Sequence, residues 1–232
     1  MKVAIIPARG GSKRIRKKNI KSFCGTPIIE YTINTLKRSK LFDHIIVSTD
    51  DPDIKSFVES IGVKAPFIRP KNLSNDLIGI LPVIEHAVEW LKINEGIEAK
   101  YTCCAYATAP LMEKEDISDC FEKLYEEDSD FAVPVTSYDY PIMRALKIID
   151  NNMLKMVYPE NIERRSNDFD ERYHDTGSFF WIKNKALKEN KKVFEAKTSY
   201  IYIEKYKALD IDDEGDWKKA ELMFKVIKES AE

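Results

Sequence analysis

The sequence predicts an α/β protein built on a doubly wound, mostly parallel sheet. Short apolar runs rich in β-branched residues, such as residues 3–6 and 44–49, are typical of strands buried on both faces of such a sheet. These runs alternate along the chain with segments of helical period, which is the pattern of repeated strand–helix units. A length of 232 residues allows one large domain, with or without an inserted subdomain, to bury its own core.

The elements follow in the order that this pattern dictates. Residues 3–6 form the first strand, and a helix over residues 27–38 follows it because Ile29, Ile33 and Leu36 recur at helical spacing. Further strands are predicted at residues 44–49, 101–106, 131–136, 179–182 and 198–203. Further helices are predicted at residues 52–61, 80–93, 116–127 and 213–228.

Two segments fall outside this alternation. Residues 66–76 are too rich in Pro and polar residues for regular structure, and we expect this loop to pack over a site. In residues 138–175, Tyr, Pro and Met interrupt any regular period. We predict an inserted subdomain there within a single domain of residues 1–232. Irregular segments rich in Met and aromatic residues often form subunit contacts, although a plain surface excursion is the alternative.

The loop after the first strand has the composition of a polyphosphate-binding loop. Its sequence, ARGGSKR at residues 8–14, places two adjacent glycines beside fixed positive charge and a hydroxyl group. No acidic residue occurs before Glu30, so this chain of net charge −2 concentrates cations here. The loop matches neither GxxxxGK[ST] nor GxGxxG, which disfavours P-loop hydrolases and dinucleotide dehydrogenases. A solvated turn is the alternative interpretation.

A pair of carboxylates lies near the end of the chain. Asp210 and Asp212 flank Ile211, so in an extended segment both side chains point to the same side and could share a hard cation such as Mg²⁺. The alternative is that Asp212 or Asp213 caps the last helix. Together with the basic loop, the pair favours phosphoryl-type transfer on a nucleoside triphosphate. No Ser-His-Asp or Cys-His arrangement can be proposed, which disfavours covalent catalysis.

The bulk composition is that of an ordinary soluble protein. Lys and Arg number 37 against 39 Asp and Glu, so wholesale nucleic-acid binding is not indicated. The sequence has no signal-peptide pattern and no stretch of about 18 apolar residues, and we expect a cytoplasmic protein without a membrane partner. His86 is expected to be a packed or surface histidine. The four cysteines, Cys24, Cys103, Cys104 and Cys120, form no C-x-x-C motif, and no disulfide or metal role is expected of them. Cys103 and Cys104 are adjacent in an apolar run and are expected to be small buried core residues.

Several stretches together resemble one known family. They are IPARGGSKRIRKKN, IIVSTDDPDI, PFIRPKNLSND, CCAYATAPL, PENIERRSNDFDERYHDTGSFFW and LDIDDEGDW. Over nearly its whole length the chain is similar to the CMP-sialic acid synthetase family, the cytidylyltransferases that activate nonulosonic acids. This resemblance implies a Rossmann-like, GT-A-like nucleotidyltransferase fold with a small dimerisation subdomain, and hence a homodimer. The implied reaction converts CTP and a 2-keto sugar acid into a CMP-sugar and pyrophosphate.

The resemblance also implies roles for particular residues. Catalysis is expected of Arg9, Lys18, Asp210 and Asp212, with the two aspartates holding Mg²⁺, or Mn²⁺ as an alternative. Nucleotide binding is expected of Ala8, Arg9, Gly10, Gly11, Ser12, Lys13, Lys18, Asn19, Arg69 and Asp76. Ile80 replaces a small hydroxyl residue that the family usually has near the start of that helix.

The sugar side departs from the sialic acid enzymes. Tyr106 stands where they have Gln, and Thr176 precedes Gly177 where they have Asn-Gly. These differences argue against N-acetylneuraminic acid itself and for a sugar with different C5 to C9 substituents. The forms YATAP and RSNDFDERYHDTGSFFW favour pseudaminic acid, for bacterial surface glycans or flagellin, with N-acetylneuraminic and legionaminic acid as the alternatives. Arg165 is expected to pair with the substrate carboxylate, reaching across a dimer interface. The expected sugar-binding residues are Tyr106, Thr108, Arg165, Ser166, His174, Asp175 and Thr176.

Two rival functions share some of these features. A glycosyltransferase would also use a D-x-D metal site, but that site normally follows a central strand in mid-chain and needs no RGGSK loop. A non-catalytic nucleotide-sugar sensor is the alternative of a different class. Such a sensor would be expected to lose the acidic pair or the basic loop, and this chain keeps both.

Overall fold

Strands and helices alternate through residues 1–230, the part of the chain that the computed structural model describes. The helices are α1 (Ile28–Ser39), α2 (Pro52–Ser60), α3 (Ile80–Glu95), α4 (Lys114–Glu126), α5 (Asn184–Lys188) and α6 (Glu214–Glu229). The strands are β1 (Lys2–Pro7), β2 (Ser22–Phe23), β3 (Thr26–Pro27), β4 (His44–Ser48), β5 (Tyr101–Ala105), β6 (Phe131–Ser137), β7 (Leu146–Ile149), β8 (Met153–Met156), β9 (Tyr173–Asp175), β10 (Phe179–Lys183) and β11 (Thr198–Tyr202). Within residues 1–230, no helix combines the length and apolar character that spanning a membrane requires.

The main sheet has seven strands, in the order β11-β6-β10-β5-β1-β4, with β9 also paired to β6. Strand β1 runs parallel to both of its neighbours, β4 and β5. The strand order therefore reverses at β1, and the carboxyl ends of β1, β4 and β5 open at one edge of the sheet. In open α/β sheets, ligands bind at such an edge.

Alternating side chains of β1 are buried on opposite faces of the sheet. Val3 and Ile5 belong to an apolar cluster that includes residues of α3 and α5. Ala4 and Ile6 belong to a second cluster that includes residues of α1, α2 and α4. Helices thus cover both faces of the sheet, and the predicted doubly wound α/β architecture is confirmed. Cys103 and Cys104 of β5 are buried in these two clusters.

The sheet contains one reversal that the strand–helix pattern did not predict. Strand β10 runs antiparallel to both β5 and β6, so the sheet is mixed. The reason lies in the chain path, because β9 pairs antiparallel with the distal part of β6 and the chain then continues directly into β10. Residues 176–180 lie opposite residues 133–134 of β6, so this return strand bulges. Gly177 lies in the bulge at φ 63°, a left-handed conformation that favours glycine.

The segment at residues 138–175 has more regular structure than expected. Strands β7 and β8 form an antiparallel hairpin in which Ile148 lies opposite Leu154. Both side chains are largely exposed, Ile148 at 74% and Leu154 at 65%. The interrupted period of this segment gave no prediction of these two strands. Residues Tyr173–Asp175, at the end of this range, form β9 and belong to the main sheet.

A third apolar cluster joins the two ends of the chain. It contains Phe23, which follows the basic loop, and Trp217 and Phe224 of α6, with the rings of Phe23 and Trp217 centred 5.5 Å apart. Ile15 and Ile211 are buried in the same cluster. The basic loop and the late carboxylate pair are therefore attached to a common apolar support.

Candidate active site

A cavity of about 340 Å³ opens at the carboxyl ends of β1 and β5. Three segments surround it: the basic loop after β1, residues 69–80, and the residues that follow β5. Asp212 closes one side. Among the residues expected to bind substrate, those that line the cavity are Arg9, Ser12, Lys13, Lys18, Asn19, Arg69, Asp76, Tyr106, Thr108 and Asp212.

The cations of the basic loop are held by a carboxylate from the opposite wall. Nη1 of Arg9 lies 2.5 Å from Oδ1 of Asp76, and Nζ of Lys13 lies 2.6 Å from Oδ2 of the same residue. These hydrogen bonds, first from Lys13 and then from Arg9, lower the pKa of Asp76. The carboxylate therefore stands where an anionic ligand of Arg9 and Lys13 would bind.

The backbone of the basic loop packs against the residues that follow β4. The N–H of Gly10 donates a hydrogen bond to Oδ1 of Asp50 at 3.0 Å. A Cβ atom at Gly10 would lie 2.2 Å from Oδ2 of Asp51, so this approach requires glycine. Nδ2 of Asn19 donates to the carbonyl oxygen of Arg9 at 2.9 Å and supports the loop from its other side. Gly11 and Ala8 belong to the same loop but do not line the cavity.

Arg69 is buried at the base of the cavity, with only 4% of its surface exposed. Its Nε donates to Oγ of Ser74 at 3.2 Å, and its Nη1 donates to the carbonyl oxygen of Ser48 at 3.3 Å. Burial lowers the pKa of Arg69, while the charge of Asp50 opposes that effect. The side chain is therefore fixed in place before any ligand binds.

The carboxylate pair is oriented by the residue between its members. Ile211 is fully buried, at 0% exposure, so Asp210 and Asp212 are directed away from the apolar cluster. Nη2 of Arg14 lies 2.9 Å from Oδ1 of Asp212. Nζ of Lys18 donates to the carbonyl oxygen of Ile211 at 2.6 Å and lies 3.8 Å from Oδ1 of Asp212. The basic loop and the acidic pair are thus in direct contact.

Asp213, and not Asp212, caps helix α6. Its Oδ1 accepts hydrogen bonds from the N–H groups of Gly215 and Asp216, and the side chain of Asp216 accepts from the N–H of Asp213 in return. This capping box satisfies the first amides of the helix. The side chain of Asp212 therefore remains available to the cavity.

The electrostatics of the acidic pair suit a divalent cation. Partial enclosure by the protein raises the pKa of Asp210, and the charge of Asp212 raises it further. Burial lowers the pKa of Lys18, although both aspartates act against that shift. A hard cation would relieve the repulsion between the two carboxylates, and Mg²⁺ needs only one or two protein carboxylates when phosphates complete its shell. Within residues 1–230, no three His, Cys, Asp or Glu side chains form a metal cluster, so the fit rests on this pair.

The expected sugar-binding residues fall into two groups in space. Tyr106 lines the cavity together with Thr108 and Asp212, and burial raises the pKa of its hydroxyl. A Cβ atom at Gly177 would lie 3.1 Å from Cγ of Asp210, which brings the bulge carrying Asp175 and Thr176 against that carboxylate. The ring of His174 packs on Tyr138, with centroids 4.8 Å apart.

Arg165 and Ser166 form the second group, away from the cavity. They lie in an exposed turn of the inserted segment, and neither lines the cavity. Nη2 of Arg165 lies 3.0 Å from Oδ1 of Asp168, three residues along the chain. Within one chain the structure therefore does not bring these two residues to the other expected sugar ligands.

Comparison with known proteins identifies the family. A profile described as cytidylyltransferase matches residues 3–228. The chain belongs to the cytidylyltransferase family. It is 38% identical over 229 residues to the pseudaminic acid cytidylyltransferase of Campylobacter jejuni, covering 99% of this chain and 98% of that one. It is 31% identical to the CMP-N,N'-diacetyllegionaminic acid synthase of the same species over 242 aligned positions, covering 94% of this chain and 93% of that one.

A solved structure supports the fold of this cytidylyltransferase. The structure of CMP:2-keto-3-deoxy-manno-octonic acid synthetase complexed with CTP superposes with a TM-score of 0.71 and covers 97% of this chain and 98% of that one. Sequence identity is only 16%, so the likeness concerns the fold. The predicted Rossmann-like α/β class agrees with it.

Sequence reasoning missed four polar residues of this cytidylyltransferase. Ser74 and Asn75 line the cavity, while Asp50 and Asp51 support the basic loop from behind. A signal for the aspartates was present, because they directly follow a strand predicted to be buried and parallel, where functional residues collect. To use that signal, one must know that β4 lies beside β1 in the sheet, which the sequence does not show. Arg14, which pairs with Asp212, was noted only as one of several loop cations.

Replacing Asp76 with Asn tests whether its carboxylate competes with an incoming polyphosphate. Asp76→Asn leaves Arg9 and Lys13 without their present counter-ion, so we expect about fivefold tighter binding of CTP or inorganic tripolyphosphate at low salt, the modest size typical of exposed ion pairs. Added salt should reduce the difference in affinity between Asp76→Asn and the unsubstituted protein. Isothermal titration calorimetry measures both effects.

The matched control for this experiment is Asp53→Asn. Asp53 forms the same kind of exposed pair, with its Oδ2 2.8 Å from Nζ of Lys17, but it does not line the cavity. Asp53→Asn should bind CTP and inorganic tripolyphosphate with the same affinity as the unsubstituted protein. Weaker binding by Asp76→Asn would show that this carboxylate contacts the nucleotide itself.

Proposed function

We propose that this cytidylyltransferase joins CMP from CTP to the nonulosonic acid pseudaminic acid and releases pyrophosphate. One observation supports the reaction type above all. A single cavity is lined by the cations of the RGGSK loop and by Asp212 of the D-I-D pair, as a transfer on a triphosphate requires. The name of the relative that is 38% identical over nearly the whole chain supports the sugar.

The chain's own residues account for the nucleotide side of the reaction. Arg9, Ser12 and Lys13 bind the triphosphate, with the two cations exchanging Asp76 for phosphate oxygens. Lys18 and Asn19 lie beside them in the cavity. The anomeric hydroxyl of the sugar loses its proton to solvent as its oxygen attacks the α-phosphorus, the bond from that phosphorus to the oxygen bridging the β-phosphate breaks, and pyrophosphate leaves. Positive charge at the loop stabilises the charge that develops on the leaving group.

A divalent cation belongs to the proposal. Asp210 and Asp212 would hold Mg²⁺, or Mn²⁺, and the ion would neutralise phosphate charge in the transition state. Lys18, which contacts the carbonyl oxygen of Ile211, holds the backbone of the pair in place. Arg14 and Lys18 are the groups that now lie nearest Oδ1 of Asp212.

The sugar side supports a nonulosonic acid other than N-acetylneuraminic acid. Tyr106 and Thr108 line the cavity beside the nucleotide loop. Asp175 and Thr176 do not line it, but the adjacent Gly177 packs against Asp210, which brings their bulge to the acidic pair. The aromatic ring of Tyr106 offers an apolar surface where the sialic acid enzymes present an amide. Legionaminic acid remains the rival sugar, in line with the 31% identical synthase.

Pyrophosphate release tests the proposed reaction. Purified protein with Mg²⁺ is given CTP, UTP, ATP or GTP in combination with pseudaminic, legionaminic or N-acetylneuraminic acid. Release is expected only with CTP and pseudaminic acid. Release with another acid would correct the sugar, and no release from any pair despite binding of CTP would favour the sensor or glycosyltransferase alternatives.

Asp212→Asn tests the carboxylate pair. Because the side chain of Asp212 is 47% exposed, the fold should persist, while kcat should fall by about 100-fold or more, as when a transition-state electrostatic contact is lost. The matched control is Asp213→Asn, one residue along the chain. Asn is a good N-cap, so this control keeps α6 capped and should retain activity. Equal activity of the two variants would contradict the metal assignment.

We also propose that two copies of the chain associate through the β7–β8 hairpin. Leu146, Ile148 and Leu154 share one of its faces, and each is more than half exposed. A contiguous apolar face of this kind marks an interaction surface. A second copy is the proposed occupant, because Arg165 of the same inserted segment would then be free to reach a neighbouring cavity that it does not reach in its own chain.

Ile148→Lys tests this association. A charge at the centre of the apolar face should convert the dimer into a monomer in sedimentation experiments at micromolar concentration, since an unpaired charge is costly to bury. Lys147→Glu, on the opposite face of the same strand, is the control and should leave the dimer intact. A monomeric unsubstituted protein would remove the proposal.

A further inference from the structure

Asp50 occupies a junction between the two loops that enclose the cavity. It directly follows β4, the parallel neighbour of β1, and its side chain is 26% exposed. Its Oδ1 accepts the N–H of Gly10 at 3.0 Å and lies 3.6 Å from Nη2 of Arg69. One oxygen atom therefore connects the basic loop to the loop on the other side of the cavity.

The second contact has a clear electrostatic reason. Arg69 is 4% exposed, and a buried guanidinium needs a nearby negative charge as well as hydrogen-bond acceptors. Ser48 and Ser74 supply neutral acceptors, and Asp50 supplies the charge. The backbone N–H of Arg69 also donates to the carbonyl oxygen of Thr49 at 2.7 Å. The loop of Arg69 is thus attached to the end of β4 immediately before Asp50.

We infer that Asp50 is a positioning residue for the nucleotide. It holds the Gly10 amide of the basic loop and the guanidinium of Arg69 at a fixed separation, so that Arg9, Ser12 and Lys13 face residues 69–76 across the cavity. Asp50 does not line the cavity, so its effect passes through these two neighbours. The identity of the nucleotide rests on the proposed function.

A simple charge effect would have the opposite sign. Asp50 places a negative charge behind a cationic loop, and this charge by itself opposes binding of a triphosphate. If Asp50 acted only through its charge, its removal would strengthen binding of CTP. A positioning role predicts weaker binding, because the Gly10 amide and Arg69 both lose the group that fixes them.

Kinetics of two Asp50 variants separate these cases. Asp50→Ala should raise the KM for CTP by about tenfold, the size expected for the loss of a hydrogen bond to a charged group, with kcat changed less than KM. Asp50→Asn keeps an oxygen acceptor for the Gly10 amide but removes the charge that faces Arg69, so its KM should lie between those of the unsubstituted protein and Asp50→Ala. An unchanged or lower KM for Asp50→Ala, or a KM for Asp50→Asn below that of the unsubstituted protein, would overturn the inference.

Hydrogen exchange gives a readout that is independent of activity. In Asp50→Ala, amides of residues 8–13 and of residues 66–76 should exchange faster together, while those of β5 keep their protection. Unchanged exchange in either loop would overturn the inference. Failure of the unsubstituted protein to bind CTP would instead overturn the proposed function, so the two failures are distinguishable.

A further variant tests the loop position without altering Asp50. Gly10→Ala places a Cβ atom 2.2 Å from Oδ2 and 2.8 Å from Cβ of Asp51. Rotation of the Asp51 side chain cannot move its own Cβ, so the loop must shift, and Gly10→Ala should reproduce the KM increase of Asp50→Ala. Normal KM in Gly10→Ala would contradict the need for a fixed loop.

Discussion

Burial of Ile15 and Ile211 in one apolar cluster is the constraint on which the site depends. These residues come from opposite ends of the chain, yet both pack in the cluster that contains Phe23 and Trp217. Burying such a side chain is worth about 1.5–3 kcal/mol, more than an exposed ion pair contributes. The apolar contacts therefore fix where the cations of the basic loop meet the carboxylates, and the charged groups need not hold the site together themselves.

Because apolar contacts hold the site together, its charged side chains can exchange their present partners for a ligand. Asp76 and Asp212 are the present counter-ions of Arg9, Lys13 and Arg14, and all of these side chains keep substantial exposure. Exposed pairs are weak, so a triphosphate and its cation can replace them at small cost. The groups that must not move are buried instead: Arg69 has internal partners at the base of the cavity. The fixed charge of Arg69 is thus buried, whereas the charges that exchange partners lie at the surface.

The sequence alone predicted the parts of the molecule that depend on local pattern. Strand β1, helix α1 and the basic loop follow from apolar runs, helical spacing and adjacent glycines. Whether Asp212 or Asp213 caps the last helix stayed open in the sequence, and the hydrogen bonds of Asp213 to the amides of Gly215 and Asp216 decide it. Features that depend on strand neighbours were not predictable in this way. The contact of Asp50 with Gly10 requires that β4 lie beside β1, and the reversal of β10 requires that the chain return along β6. The β7–β8 hairpin was missed because both of its faces carry exposed apolar residues, which removes the alternation that marks a strand.

The reversal of β10 has a consequence for how substrate preference can vary. Nucleotide-side residues follow the parallel strands β1 and β4, whose loops are tied to one another through Asp50 and Arg69. Sugar-side residues Asp175 and Thr176 lie instead on a bulge of the antiparallel return strand, which touches the rest of the site through Gly177 and Asp210. A bulge can change length and side chains without altering the register of the parallel strands. The architecture therefore allows the acceptor side to diverge among related enzymes while the loop that binds the triphosphate stays the same.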